Sequence, residues 1–183
     1  MASTKTLLTA EDLLRLPEDE CRYELLDGEL VTMAPTGAEH GRIAARVAYR
    51  LLMHVEAHNG GAVLTNDPGI ILRRNPDRVR APDVCFIARE RIPAGGLPQG
   101  YLETVPDLIV EVVSPNDTAV DVQQKVEEWL QAGARLVWVV YPGTRSVVVY
   151  QSLTQVRVYK EGDTLDGAPV WSDFACPVAS LFA

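Results

Sequence analysis

Two long segments, 39–58 and 117–134, carry apolar residues three or four positions apart, and this spacing predicts two amphipathic helices. The apolar faces consist of Ile43, Val47, Leu51 and Val55 in the first segment, and of Val122, Val126, Trp129 and Leu130 in the second. Gly60-Gly61 is expected to end the first helix and Gly133 the second. A shorter helix is predicted after Thr9, where Thr9 and Asp12 resemble a capping box, and Pro17 would stop it.

Other segments alternate or are apolar throughout, and they predict strands. In "YELLDGELV" the pair Asp27-Gly28 favours a two-residue hairpin turn. Further short strands are expected in "AVLT", "GIILR", "DVCFIA", "PDLIVEVV", "RLVWVVY", "RSVVVYQ" and "QVRVYK". The order of these elements predicts an α+β fold. We expect a mixed central β-sheet, two main covering helices and an N-terminal β-hairpin.

Composition sets broad limits on this picture. The chain has 183 residues, of which 47% are hydrophobic and 23% charged, which suits a single domain over residues 1–183. Three cysteines stand far apart without metal-knuckle spacing, which favours a reducing compartment. Neither a signal peptide nor an apolar run of membrane length is visible. We therefore expect a cytoplasmic protein without a membrane partner.

Charge allows two interpretations of one basic segment. The net charge of -8 counts against a broad polyphosphate-binding surface. The segment "RRNPDRVR" is nevertheless locally basic, because it contains Arg73, Arg74, Arg78 and Arg80. It is either a solvated hairpin loop or a surface that faces a ligand, and the sequence leaves both interpretations open.

One acidic residue lies inside an apolar strand. Glu111 interrupts "LIVEVV", where a carboxylate is costly unless it is paired, protonated or bound to a cation. Asp83 begins the earlier strand "DVCFIA", so the two acids can meet if the strands are neighbours. Two such carboxylates favour a hard cation such as Mg²⁺ between them. The alternative is that one or both only cap or form a local salt bridge.

These motifs, in this order, resemble the Uma family of proposed restriction endonucleases, a member of the restriction-endonuclease-like PD-(D/E)XK superfamily. The resemblance rests on "YELLDGELV", "HGRIAARVAYRLL", "APDVCFI", "PDLIVEVVSPND", "AGARLVWVVYP" and "DFACPVASLF", and it covers nearly the whole chain. It implies that Asp83 and Glu111 are catalytic metal ligands and that Glu24 could reach the same metal. The lysine expected two residues after Glu111 is Val113, where only the backbone carbonyl could be a metal ligand.

Lys125, in the second helix, is the natural replacement for the missing lysine. The chemistry requires a positive charge near the attacked phosphate rather than one backbone position. The alternative is a solvated helix lysine that pairs with Asp121 or Glu128. His40 begins the first long helix and matches a family histidine, although a histidine at the start of a helix more often has a structural role. His54 and His58 lie on the polar half of that helix, and their spacing indicates no partner.

The expected function is hydrolysis of DNA phosphodiester bonds by an endonuclease that depends on Mg²⁺ or Mn²⁺. Asp83, Glu111, Lys125 and Glu24 would form its catalytic group, and the four arginines of "RRNPDRVR" would contact the DNA backbone. A restriction-like domain of this size is expected to cut duplex DNA as a homodimer. Two alternatives stay open, namely an inactive module that binds nucleic acid or protein, and a hydrolase of another phosphoester.

Overall fold

The central feature of the fold is a six-stranded sheet in the order β10-β9-β8-β7-β6-β3. The structure, a computed structural model, describes residues 6–17 and 21–183. The strands of this sheet are β3 (Gly61–Thr65), β6 (Val84–Ala88), β7 (Leu108–Val112), β8 (Leu136–Tyr141), β9 (Ser146–Tyr150) and β10 (Val156–Lys160). Strands β7 and β8 are parallel, and the other neighbours are antiparallel. The predicted mixed sheet is thereby confirmed.

The two main helices, α2 (Ala38–His58) and α3 (Ala119–Ala132), pack on the two groups of core residues that the sheet separates. Ile43, Val47, Leu51 and Val55 are buried on α2 as predicted, and Val122, Val126 and Trp129 are buried on α3. Both faces of the central strands are covered, so all residues of β6 and β7 are buried. This explains why these strands read as apolar runs rather than alternating ones.

Local signals set the helix ends. Thr118 and Asp121 form a capping box at the start of α3, and Gly133 ends that helix in the left-handed conformation. At the end of α2 the left-handed residue is Asn59, with φ 50°, and not Gly60 as predicted. Asparagine adopts this conformation at low cost. Gly61 is required for another reason, because a Cβ atom there would lie 2.1 Å from the carbonyl oxygen of Ile87.

The predicted N-terminal hairpin is confirmed as β1 (Arg22–Leu26) and β2 (Glu29–Met33), joined at Asp27-Gly28. It belongs to a four-stranded sheet in the order β2-β1-β5-β4. The added strands are β4 (Ile70–Arg73) and β5 (Arg78–Arg80). Part of the basic segment is thus a strand, β5, which the sequence did not predict. The interpretation of the whole segment as a solvated loop is wrong for this part.

Smaller elements complete the chain. The capping box at Thr9 begins α1 (Ala10–Leu14), as predicted. Near the C-terminus, β11 (Thr164–Asp166) pairs with β12 (Ala175–Pro177), and α4 (Ala179–Phe182) follows. These last three elements were not predicted, because each is four residues long or shorter. Within residues 6–17 and 21–183, no helix is both long and apolar enough to cross a lipid bilayer.

Candidate active site

Asp83 and Glu111 lie at the same end of the central sheet. Strands β6 and β7 are antiparallel neighbours in which Val84 faces Val110, so Asp83 is placed across from Glu111. The backbone N–H of Val112 donates a 2.6 Å hydrogen bond to Oδ2 of Asp83 and holds that carboxylate against β7. The expectation that the two strands are neighbours is therefore confirmed.

Both acids line one cavity of about 210 Å³. Its polar lining includes Arg22, His40, Asp83, Glu111, Asp117 and Lys125. The cavity thus combines three carboxylates with two permanent cations and one imidazole. A larger cavity of about 460 Å³ shares Arg22, His40 and Asp83 with it and extends along α2 as far as Leu52.

Two residues of α3 hold Glu111. The Lys125 ammonium lies 3.1 Å from Oε2, and the indole N–H of Trp129 donates a 2.8 Å hydrogen bond to Oε1. Residues four apart on a helix share a face, so the helix presents both donors to one carboxylate. The structure thus places Lys125 at the acid, and not on Asp121 or Glu128, which were its alternative partners.

Burial controls the ionisation of this pair. Burial raises the pKa of Glu111 to about 7, since desolvation outweighs the attraction of Lys125 and the charges of Asp83 and Glu24 add to the rise. The negative charge of Glu111 in turn raises the pKa of Lys125, so the amine stays protonated. A cation bound in the cavity would oppose this effect and favour the ionised form of Glu111.

His40 and Arg22 complete the surroundings of Asp83. The Nε2 atom of His40 lies 3.2 Å from Oδ2 of Asp83, whereas the nearest Arg22 nitrogen is 4.0 Å from Oδ1. Burial alone would lower the pKa of His40, but the hydrogen bond and charge of Asp83 outweigh it and raise that pKa. Among the residues that the structure describes, Nδ1 of His40 and Nε of Arg22 are buried without a hydrogen-bond partner.

Comparisons with known proteins now identify the family. Residues 10–179 match the sequence model of the Uma2 family, which is described as "Putative restriction endonuclease". The chain belongs to the Uma2 family. No curated protein matches it.

A solved structure from Anabaena variabilis ATCC 29413, described as "a putative nuclease belonging to DUF820", has the same fold. The superposition gives a TM-score of 0.81 at 21% sequence identity, and it covers 96% of this chain and 97% of that chain. At this identity the likeness shows the fold alone.

In this Uma2 chain Glu24 does not line the cavity that holds Asp83 and Glu111. Its Oε2 accepts a 2.6 Å hydrogen bond from Arg80, and its Oε1 accepts one of 3.0 Å from the backbone N–H of Ala81. Arg80 also donates to Glu128, at 2.7 Å, and Arg78 donates to the other oxygen of Glu128 at the same distance. We call Glu24, Arg78, Arg80 and Glu128 the bridging network, because it joins the hairpin sheet to α3.

The four arginines of the basic segment are all paired within this Uma2 chain. Arg73 contacts Asp27, and Arg74 contacts Glu11, Asp77 and Glu103. The side chains of Arg73 and Arg74 are 51% and 37% exposed, but those of Arg78 and Arg80 are only 19% and 7% exposed. A contact of Arg78 or Arg80 with DNA would therefore first break the bridging network.

Val113 occupies the position where the family motif has its lysine. Val112 lines the cavity with the two acids, while Val113 does not, and the N–H of Val113 bonds to the carbonyl of Val140. Gln124, the neighbour of Lys125 on α3, donates a 3.0 Å hydrogen bond to Glu128. The residues of the site that the sequence did not single out are Arg22 and Asp117. The contact of His40 with Asp83 joins α2 to the residue before β6, so no local pattern in the sequence predicts it.

Proposed function

We propose that this Uma2 chain is a nuclease that hydrolyses phosphodiester bonds in DNA with the help of a bound Mg²⁺ or Mn²⁺. One observation carries the proposal. Asp83 and Glu111, from adjacent strands, line one cavity together with the ammonium of Lys125. This combination of paired carboxylates and a nearby cation suits the binding of a metal ion and of a phosphate at the same place.

The residues of the cavity fit a hard divalent cation. Asp83, Glu111 and Asp117 offer carboxylate oxygens, the ligand type that Mg²⁺ prefers, and the cavity has room for water as well. Val112 lines the cavity and Val113 does not, so we place any backbone ligand at Val112 rather than at Val113. When bound, the ion would polarise the scissile phosphate and lower the pKa of a bound water.

The protein's own side chains orient and stabilise the reacting groups. The N–H of Val112 and the imidazole of His40 hold Asp83 in one orientation. Trp129 does the same for one oxygen of Glu111. The ammonium of Lys125, beside Glu111, would face an oxygen of a phosphate bound in the cavity. There it would stabilise the negative charge that develops during attack.

The larger cavity gives the substrate a place to lie. It adjoins the site at Asp83 and His40, and its other end is lined by Tyr49 and Leu52 on α2. An exposed tyrosine on such a wall can stack on a base. The volume of this cavity, about 460 Å³, falls in the range of ordinary ligand pockets. We therefore propose that a nucleotide next to the scissile phosphate lies along α2.

Of the four arginines, we place contacts with the DNA backbone at Arg73 and Arg74. The pairs of Arg73 with Asp27 and of Arg74 with Glu11 and Glu103 are exposed, and exposed pairs contribute only about 0–1 kcal/mol, so they exchange partners at little cost. Arg74 also pairs with the buried carboxylate of Asp77, so Arg73 is the freer of the two arginines. Arg78 and Arg80 instead hold buried carboxylates. In this arrangement Arg78 and Arg80 would stabilise the packing of α3, which carries Lys125, rather than contact the substrate.

We also propose a homodimer, because a small restriction-like domain cuts both strands of a duplex most simply as a two-fold pair. The apolar residues of β8 and β9 are largely buried within the chain and offer little surface for a dimer. Exposed valines lie instead on the edge strand β10, at Val156 and Val158. Static light scattering at micromolar concentration should give twice the mass of the chain, and a monomer would contradict the dimer.

The test of the function is a plasmid-nicking assay in Mg²⁺ or Mn²⁺ and in EDTA, with small phosphodiesters assayed in parallel. The wild-type protein should nick plasmid only when metal is present. Asp83→Asn should not nick it either with metal or in EDTA. Glu90→Gln, a change at an exposed acid far from any predicted role, should cleave like the wild type. Cleavage of small phosphodiesters alone would indicate another phosphoesterase. Metal-independent DNA binding without cleavage would indicate a binding module.

A further inference from the structure

A second group of metal-ligating side chains lies at the far end of α2. His54, His58 and Asp173 each offer one ligand atom, and these atoms all lie within 4.8 Å of one another. His40 of the candidate active site is fourteen residues before His54 on the same helix, a separation of roughly 20 Å along its axis. The group is therefore independent of the proposed nuclease centre.

The fold brings these residues together from two parts of the chain. His54 and His58 are four residues apart on α2, so their imidazoles share a face, with ring centroids 4.4 Å apart. Asp173 arrives from the segment before β12, which Trp171 and Phe174 anchor against the core. Both aromatic rings contact His54 edge to face, at 5.3 and 5.2 Å. The interpretation that His54 and His58 lack a partner is thereby wrong.

The hydrogen bonds of His58 define which of its nitrogen atoms is free. Its Nδ1 lies 2.8 Å from the carbonyl oxygen of His54, and a carbonyl can only accept, so Nδ1 carries a proton. Such a bond from the second ring nitrogen to a carbonyl is the usual support of a metal-bound histidine. Nε2 of His58 is then left facing Oδ2 of Asp173 at 3.1 Å.

Two lone pairs at that distance repel each other unless a positive charge lies between them. A second proton on His58 would give Asp173 a hydrogen bond from that histidine alone. Nε2 of His54 lies 3.6 Å from Oδ1 of Asp173, which is beyond an ordinary hydrogen bond. A single divalent cation would satisfy both imidazoles and the carboxylate at once. Burial also lowers the pKa of His54, which favours the neutral imidazole that a metal requires.

We propose that His54, His58 and Asp173 form a binding site for a divalent transition metal ion of the Zn²⁺ type, which fastens the C-terminal segment to the end of α2. Two imidazole nitrogens and one carboxylate are a ligand set that Zn²⁺, Co²⁺ and Ni²⁺ accept readily and Mg²⁺ does not. His58 and Asp173 are about half exposed, so the remaining coordination position is open to water.

Zn²⁺ alone is the probe, added to chelator-treated protein that carries Asp83→Asn, so that the candidate active site does not contribute. Calorimetric titration should give one Zn²⁺ per chain. At a hundredfold excess over Kd, Zn²⁺ should raise the melting temperature by about 5 °C or more. Millimolar Mg²⁺ should neither give this shift nor compete for the site.

Matched variants decide the assignment. His58→Gln and Asp173→Asn, both at half-exposed positions, should lose the stoichiometric binding and the thermal shift. Glu56→Gln, an exposed acid two residues from His58 on the same helix, should keep both. Co²⁺ should give the visible absorption of a nitrogen- and oxygen-bound ion in the parent protein and in Glu56→Gln, but not in the His58 and Asp173 variants. Zn²⁺ binding that persists in the His58 and Asp173 variants, or no binding by the parent protein, would overturn the proposal.

Discussion

The bridging network and the group around the cavity contain the same kinds of residue in opposite situations. In the bridging network every carboxylate oxygen of Glu24 and Glu128 accepts a hydrogen bond from an arginine or from the backbone. In the second group, which we call the cavity cluster (His40, Asp83, Glu111 and Lys125), the carboxylates also accept hydrogen bonds but line a cavity with room for a ligand. His40 and Arg22 line the same cavity, and within the described part of the chain one ring nitrogen of His40 and Nε of Arg22 are buried without a hydrogen-bond partner.

The difference separates a structural use of buried charge from a chemical one. A buried ion pair whose hydrogen bonds are all made is costly to break, because removing one partner leaves the other charge buried alone. A carboxylate beside a cavity retains coordination capacity, and burial raises its pKa instead of lowering it, as for Glu111. Mutations in the bridging network should therefore act on stability, and mutations in the cavity cluster on activity.

The largest effect is expected at Glu111. Glu111→Gln should lower metal-dependent cleavage by on the order of 10³ or more, because the metal loses a charged ligand. The unfolding free energy should change by no more than about 1 kcal/mol. Removal of a desolvated carboxylate offsets the loss of its ion pair with Lys125, and glutamine can still accept from Trp129. Nicking rates and urea denaturation measure the two quantities. A variant that cleaves at the wild-type rate would refute the assignment of Glu111.

Lys125 sharpens the same comparison from the cationic side. Lys125→Ala should reduce turnover by about 10²–10³, as for a lost charge-stabilising donor, and leave metal affinity no weaker. Lys125→Arg should restore little, because a planar guanidinium does not replace a compact ammonium. Lys160→Ala, at an exposed lysine on β10, is the matched control. Equal turnover in the Lys125 and Lys160 variants would remove Lys125 from the mechanism and favour the binding-module alternative.

Arg80 tests the bridging network. Arg80→Met should destabilise the protein by about 3–5 kcal/mol, because Glu24 and Glu128 both lose their shared cation in a buried place. The melting temperature should fall by about 10 °C. Arg46→Met, at an exposed position on α2, should leave it nearly unchanged. If both variants melt together, the network carries no more stability than a surface arginine.

The smallest effect concerns pH. The pKa of Glu111 in the folded state is about 7, above its ordinary value of 4.5, so the folded protein binds more protons than the unfolded one between these values. Stability should therefore fall as pH rises through this window. In EDTA, this loss should be on the order of 1–3 kcal/mol between pH 5 and 8. The loss should be smaller in Glu111→Gln, and identical pH profiles would contradict the raised pKa.

Much of the fold could be predicted because its signals are local. The stripes of α2 and α3, the Asp27-Gly28 turn and the capping boxes each depend on residues a few positions apart. Strand β5 escaped prediction because Arg78–Arg80 contains a single apolar residue, Val79. This segment becomes a strand only by pairing with Leu25 of β1 and with β4.

The contacts of the candidate site could also be predicted only where they depend on local patterns. The meeting of Asp83 and Glu111 could be predicted from strand alternation and one assumption of adjacency. The partners of Arg80 could not, because they lie 56 and 48 residues away in the chain and belong to other elements. The same holds for Asp173, which reaches His54 and His58 only through the packing of the C-terminal segment. Charge pairing across elements leaves no periodic signal in a sequence.

The capping box at Thr118 has a consequence for how Lys125 is held in place. Each residue of an α-helix turns the chain by roughly 100°, so the direction of the Lys125 side chain depends on where α3 begins. Thr118 and Asp121 set that starting point, seven and four residues before the lysine. A lysine inside a strand would instead be aligned by the hydrogen-bond register of the sheet. In this chain the segment between Val113 and Thr118 can change in length during evolution without misdirecting the amine, provided that the helix still starts at the same threonine and packs on the same valines.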